Sequence, residues 1–222
     1  MAARSEPTAG TTDTHDDKRE RILRAAMETF REKGFAAATT LDIATRARVS
    51  KRELYALVGN KQELLVACIT ERATRLEAPA DTPVPRDRRA LQTVLASFGK
   101  QLLQEVTEPT VVAIFRLAIA EAGNAPEVAQ ALDSIGRETS RAALRRILGQ
   151  ARTAGLLDGR PAQLAEQFGG LLWRDLMVGL LLGVAERPGP REMTDRAHDA
   201  AAAFLALHPR PSQRATSRRG TG

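Results

Sequence analysis

The sequence predicts an all-α protein of about nine helices, and three observations carry that prediction. Apolar residues recur at helical spacing along nearly the whole chain. Strand signals are scarce: aromatics make up 4% of residues, and no β-branched run alternates with polar residues between turns. Pro126, Pro161 and Pro190 each stand where a helical pattern begins, the position at which proline costs a helix least. With 222 residues, 43% of them apolar, the chain is long enough for a sizeable core.

Residues 1–14 are expected to be disordered. Ile22, Leu23, Ala26, Met27 and Phe30 share one face of the first helix, which Gly34 closes so that Phe35 folds back on Phe30. Thr39 with Asp42, Ser50 with Glu53, and Asn60 with Glu63 each place an N-cap three residues before an acid. They predict short helices at about 40–47 and 51–57 and a longer one from 61, carrying Leu64, Leu65, Cys68, Ile69 and Leu76. Pro79, Pro83 and Pro85 mark a linker. Leu91, Val94, Leu95, Phe98, Leu102 and Leu103 form the next stripe. Val111 to Ala120 is apolar nearly all round and reads as a central buried helix. Further helices run from Pro126 to about Thr153, from Pro161 to about Ala185, and from Pro190 to about Leu207. Residues 209–222 are expected to form a disordered basic tail.

The formal charge of +6 is uneven. Residues 15–61 hold 11 Lys and Arg against seven acids, and residues 208–222 hold four Arg and no acid, while 62–207 are nearly neutral. A basic module on a neutral body points to a polyanion, nucleic acid first. The module also has the form of a helix-turn-helix. The two short helices are joined by Arg48-Val49-Ser50, a turn of suitable length. In the second of them Leu54 and Leu57 face Ile43, Ala44, Ala47 and Val49, while Lys51, Arg52 and Tyr55 share the opposite side. Two cations and a phenol on such a face suit a major groove; water alone is the other occupant that side allows.

The stretch TTLDIATRARVSKRELYALVGNKQELL, residues 39–65, resembles the DNA-binding domain of TetR-type transcriptional regulators. The marks are Gly34-Phe35, Ile43-Ala44, Ala47, Val49-Ser50, Leu54-Tyr55, Lys61 and Leu64. The segment TVVAIFRLAIAEAGNAPEVAQAL is similar to the start of the ligand domain in the AefR-like branch. The resemblance implies a helix-turn-helix DNA-binding domain at 15–62 and a ligand-binding and dimerisation domain at 63–208. It also implies a repressor that binds a palindromic double-stranded operator as a homodimer and is released by a small, mainly apolar molecule. DNA contacts are expected from Thr39, Arg48, Ser50, Lys51, Arg52, Tyr55 and Lys61. Two positions depart from the family. Leu57-Val58 stand for a common His-Phe pair, and Arg48 stands where glycine is usual, in a turn that tends to need a left-handed backbone. Either the turn is built differently, or Arg48 bears a strain of about 1–2 kcal/mol and gains a phosphate contact.

In the larger domain Phe98, Leu102, Phe115, Phe168, Trp173 and Met177 either line a ligand cavity or form a solid core. Arg116 lies within an apolar segment and needs a partner: Glu121, Glu105, Asp175 or an anionic ligand group. The dimer interface is expected in the last two helices, at Leu171, Leu172, Gly179, Leu180, Gly183 and Phe204, with the glycines permitting close approach.

Other chemistry is not expected. His15, His198 and His208 lack metal-ligand spacing, Ser97, Ser134 and Ser140 lack a nucleophile-elbow context, and no catalytic or cofactor motif emerges. Cys68, the single cysteine, reads as buried filler against the alternative of a redox sensor. No run of about 18 apolar residues occurs, since Arg174 and Asp175 interrupt the best stretch, and the N-terminus lacks a signal-peptide pattern. A soluble cytoplasmic protein without membrane contact, metal or cofactor is therefore expected. A sequence-indifferent DNA-coating protein and an all-helical enzyme are the competing readings. The first leaves the neutral domain unexplained, and the second lacks the His and carboxylate clusters it needs.

Overall fold

A computed structural model of the protein describes residues 14–74, 84–120, 122–123 and 126–209. Of the termini expected to be disordered, residues 1–13 and 210–222 lie outside them, as do Leu76 and the linker prolines Pro79 and Pro83; Thr14, expected in the disordered part, is instead the N-cap of the first helix. All regular structure among the described residues is helical: α1 (His15–Ala37), α2 (Thr40–Ala47), α3 (Lys51–Leu57), α4 (Lys61–Thr74), α5 (Arg88–Val106), α6 (Pro109–Ala120), α7 (Pro126–Ala131), α8 (Glu138–Thr153), α9 (Pro161–Trp173), α10 (Leu176–Leu182) and α11 (Pro190–Leu207). A π-helical stretch, Leu132–Arg137, joins α7 to α8 in one continuous run. Counting that run once gives ten helices among the described residues. The chain forms two compact units that divide between Cys68 and Ile69, inside α4, where no change of composition marks a boundary.

The first unit is built around Ile22, Leu23, Ala26, Ile43, Leu54, Leu64 and Leu65. Gly34 takes φ 74° and ends the regular part of α1, which brings the Phe35 ring to 5.4 Å from Phe30. All three predicted caps form. The Thr39 and Ser50 hydroxyls accept the Asp42 and Glu53 amides at 3.1 Å each. The Asn60 Oδ1 accepts from the Gln62 and Glu63 amides at 2.8 and 3.0 Å. Thr14 and Asp17 make a fourth box at the start of α1. Cys68 is buried, with its Sγ 3.6 Å from the Leu23 carbonyl oxygen.

Gly59 is a requirement that the patterning did not reveal. Its φ is +102°, and a Cβ would stand 2.1 Å from the Glu63 carboxylate oxygen that accepts the Asn60 amide. Gly59→Ala is expected to destabilise the protein by about 1–2 kcal/mol from the backbone alone. Urea unfolding measures it, and an unchanged midpoint contradicts the assignment.

In the second unit α5 packs along α11 and α8 against α9. Phe168 and Phe204 meet edge-on at its centre, 5.7 Å apart, and both are fully buried. Two expectations change here. The helix from Pro161 does not continue to Ala185. It stops at Trp173, because Arg174 adopts φ 45°, ψ −123° and the Arg196 guanidinium occupies the freed carbonyls of Leu172 and Trp173. Nor is α6 a central buried helix. Only Val112, Ile114 and Ala118 are buried, and Ile119 is 63% exposed.

Candidate functional site

The turn between α2 and α3 settles the backbone at Arg48. Its φ of 55° and ψ of 45° are left-handed, so the turn has the usual build and a non-glycine residue bears the strain. The Arg48 and Val49 amides donate to the carbonyls of Thr45 and Ala44 at 3.2 and 3.0 Å. Arg48→Gly is therefore expected to raise stability by about 1 kcal/mol. Thermal unfolding tests this, and a fall in stability would show that the side chain holds something in place.

Helix α3 separates its faces as the spacing predicts. Leu54 is fully buried, as are Ile43, Ala44 and Ala47 of the neighbouring α2, and Leu57 is half-buried. Lys51 and Arg52 are exposed, and Tyr55 is 46% exposed with the Lys51 ammonium 5.8 Å from its ring centroid. Neither Arg48 nor Arg52 has a hydrogen bond or ion pair for its side chain among the described residues. The Thr39 and Ser50 side chains are engaged in their caps. Lys61 is placed otherwise than expected. Its ammonium donates to the carbonyls of Phe35, Ala36 and Ala38 at 2.8, 3.3 and 3.2 Å and lies 4.4 Å from the Phe35 ring centroid. It ties the end of α1 to the start of α4, and no free donor remains for a phosphate.

Helix α1 braces both short helices. Lys18 pairs with Glu53 at 2.8 Å and Lys33 with Asp42 at 2.9 Å. Arg46 reaches Glu32 and, at 3.4 Å, Glu28, while the Arg21 Nε donates to the Ala47 carbonyl at 3.3 Å. Sequence reasoning missed these residues, because each joins helices far apart in the chain and no local pattern marks the pair. The Lys18 ammonium and the Ser50 cap hold the Glu53 carboxyl down to about 2 from 4.5. Lys33 and the Thr39 cap hold Asp42 down to about 2 from 3.8. Both acids keep their charge in the fold to a lower pH than in the unfolded chain. Their stabilisation is complete above about pH 4.5 and is lost as pH falls toward 2. The first unit is expected to lose protection between those limits in hydrogen exchange, with the loss shifted in Glu53→Gln. Protection unchanged down to pH 2.5 contradicts this role.

A cavity of about 720 Å³ lies in the second unit. Of the residues expected to line it, Leu102, Phe115, Trp173 and Met177 do. Phe98 and Phe168 do not; they are buried in the core among α5, α9 and α11. Arg116 is exposed, and its Nη2 and Nε donate to the carbonyls of Leu180 and Leu181 at 2.7 and 3.0 Å. The partner is thus the end of α10, where a cation meets the last carbonyls of the helix, Leu180 accepting from the Gly183 amide as well, and neither Glu105 nor Asp175 is needed. Glu121 is outside the described residues. The walls also include Ile69 and Arg72 of α4, Glu105 of α5 and the π-helical Asp133 and Gly136. The apolar circumference of α6 is explained by this cavity: part of the helix faces the core, and Val111 and Phe115 face the space.

The expected interface residues divide. Leu172, Leu180 and Phe204 are buried within the chain, so no partner reaches them. Gly179 and Gly183 serve the end of α10 instead of a second helix. A Cβ at Gly179 would meet Ala185 at 2.8 Å, and Gly183 is the left-handed cap at φ 75°. Leu171 is half-buried, and Val178, Leu182 and Val184 are 58, 71 and 80% exposed.

Among the described residues no group of three His, Cys, Asp or Glu is arranged to hold a metal, and no helix is long and apolar enough to cross a membrane.

Comparison with known proteins bears on both units. Residues 22–68 match the family described as bacterial regulatory proteins, tetR family, and residues 93–208 match the AefR-like transcriptional repressor, C-terminal domain. An uncharacterised HTH-type transcriptional regulator of Mycobacterium tuberculosis is 30% identical over 121 residues, 54% of this chain and 55% of that protein. The chain thus spans about half the length of the curated relatives it matches. A TetR transcriptional regulator from Agrobacterium tumefaciens has a similar structure, with TM-score 0.72 and 29% identity over 86% of this chain and 94% of its own. The flavonoid-responsive regulator FrrA has TM-score 0.68 and 29% identity over 89% of this chain and 99% of its own. These families and relatives are transcriptional regulators, not enzymes. The chain belongs to the TetR family of bacterial regulatory proteins, with a C-terminal domain of the AefR-like type.

Proposed function

We propose that the protein is a ligand-responsive transcriptional repressor that acts in the cytoplasm. As a homodimer it binds a palindromic double-stranded operator, and a small, mainly apolar molecule releases it. One observation carries this reading: α3 presents Lys51, Arg52 and Tyr55 outward from a helix anchored by fully buried Leu54 and a complete Ser50 cap. Lys51 and Arg52 lie in its first turn, the end that meets base edges in helix-turn-helix proteins. In this reading Arg52 forks onto a base, Lys51 and Arg48 neutralise phosphates, and the Tyr55 hydroxyl reaches a phosphate oxygen. Thr39 and Ser50 act through the helix starts they cap, whose amides and dipoles suit phosphates. Lys61 contributes position alone.

One short helix reads too few base pairs to select a genomic site, so two copies on a near-palindrome are needed. Val178, Leu182 and Val184 supply the exposed apolar surface for pairing, with half-buried Leu171 in the preceding helix α9. Light scattering is expected to give a dimer mass at micromolar concentration, and Leu182→Glu with Val178→Glu a monomer. A wild-type monomer contradicts the dimer.

The cavity supports the ligand response. Its size is that of sites for drug-sized molecules, and its lining is mostly apolar. Helix α4 begins in the first unit, and its later residues Ile69, Arg72 and Ala73 line the cavity of the second. FrrA, one of the similar structures, is named as flavonoid-responsive, which supports reading this domain as the effector site. Ligand and operator then oppose each other by linkage, each favouring a different arrangement of the two heads. Apolar compounds that raise the melting temperature are expected to weaken operator binding. Stabilisation with unaltered operator affinity rejects the switch.

A further inference from the structure

We propose that Leu41 reads a base: its side chain packs against the C5 methyl group of a thymine in each operator half-site. The inference rests on the reading of the first unit as a DNA-binding head and adds a contact that neither charge nor hydrogen bonding marks. Large apolar side chains in that unit are otherwise covered. Among its described residues only Leu41, at 62%, and Tyr55, at 46%, are exposed. Leu41 stands in the first turn of α2, just after the Thr39 cap. Helical spacing divides α2 into three faces. Asp42 and Arg46 turn to α1, where they pair with Lys33 and with Glu28 and Glu32. Ile43, Ala44 and Ala47 are buried. Leu41 and Thr45, both exposed, form the third face, turned from α1 and from the core alike. Helix α3 divides in the same way: Glu53 pairs with Lys18 of α1, Leu54 is buried, and Arg52 and Tyr55 are exposed on the remaining side. Both helices rest on α1, so their third faces belong to the side of the unit that α1 leaves open. Leu41 therefore shares the surface proposed for DNA with Arg52 and Tyr55.

Chemistry selects the thymine. A leucine side chain has no charge and no donor, so it gives a phosphate nothing. In the major groove the edges of guanine, adenine and cytosine present donors and acceptors, and thymine alone adds a methyl group. An apolar side chain at a base edge is matched only there, where each group excludes water from the other. The polar side chains around Leu41 do not compete for the place. Thr39 and Asp42 are held in the capping box, and Arg46 is held by its two acids. Burial of one methyl group corresponds to about fourfold in affinity.

The test uses the full chain and the duplex it enriches from random double-stranded DNA. Each thymine is replaced in turn, in both half-sites, by deoxyuridine, which removes the methyl group alone. At one symmetric position wild type is expected to lose about fourfold per half-site, hence about fifteenfold for a dimer. Leu41→Ala and Leu41→Gln are expected to bind the thymine and deoxyuridine duplexes equally at that position, with melting temperatures near wild type. Wild-type binding that ignores every methyl group overturns the proposal, and so does a methyl preference that survives in both variants. Weakening of Leu41→Ala on both duplexes with the preference retained places Leu41 on the sugar–phosphate backbone and overturns base reading. These outcomes leave the DNA-binding head intact. If no sequence is enriched, the reading of the head fails, and this proposal with it. The comparison within wild type stands even if neither variant folds.

Discussion

Arg52→Ala is expected to weaken operator binding by about 1–3 kcal/mol for each head, hence by about 2–6 kcal/mol for a dimer on two half-sites. That is a loss of roughly 30-fold to 10⁴-fold. The side chain is exposed and unpaired among the described residues, while the Ser50 cap and buried Leu54 that hold its helix are untouched. Stability should therefore stay near wild type, and the loss should appear as relaxed sequence preference at one position of each half-site. Lys51→Ala should instead weaken all sequences alike and reduce the salt slope by about one for each head. Tyr55→Phe removes only a hydroxyl and separates a phosphate contact from ring packing. Wild-type affinity and salt slope in both Arg52→Ala and Tyr55→Phe contradict the assignment of this face to DNA.

Phe168→Ala is expected to lower stability by about 3–5 kcal/mol, as deletion of a fully buried aromatic usually does. Its ring meets Phe204 edge-on at 5.7 Å and lies close to Gly99 of α5, where a Cβ would stand 3.4 Å from Phe168 and 3.1 Å from Leu172. A double-mutant cycle with Phe204→Ala should give a coupling of about 0.5–1.5 kcal/mol. This prediction separates core from cavity. If Phe168→Ala unfolds at the wild-type denaturant concentration but loses affinity for apolar compounds, the residue lines the site after all.

The elements legible in the sequence are those with a local physical cause. Thr39, Ser50 and Asn60 announce helix starts because each is satisfied within three residues. Gly34 and Phe35 announce the end of α1 for the same reason. Leu54 against Lys51, Arg52 and Tyr55 is legible because helical periodicity alone divides their faces. What periodicity cannot convey is what stands opposite a side chain. Lys61 has the charge and position of a phosphate donor, yet three carbonyls at the end of α1 claim its ammonium. Arg116 sits in an apolar segment that calls for a carboxylate partner, yet it closes the end of α10, which the left-handed Gly183 terminates. Phe98 and Phe168 have the same composition signal as Phe115, and only the fold decides which of them faces the cavity. Gly179 and Gly183 show the same limit: small-residue spacing reads as a close helix approach, whereas the space is taken by Ala185 of the same chain.

Selection of bound fragments from random double-stranded DNA, followed by titration of the winning site against salt, tests the central claim most directly. The account predicts a near-palindrome whose half-sites lie about 10–10.5 base pairs apart centre to centre, or a multiple of that. It further predicts that Arg52→Ala relaxes one position in each half. Enrichment of no sequence, with binding that falls steeply with salt on every fragment, would contradict it and leave a protein that coats DNA through charge alone.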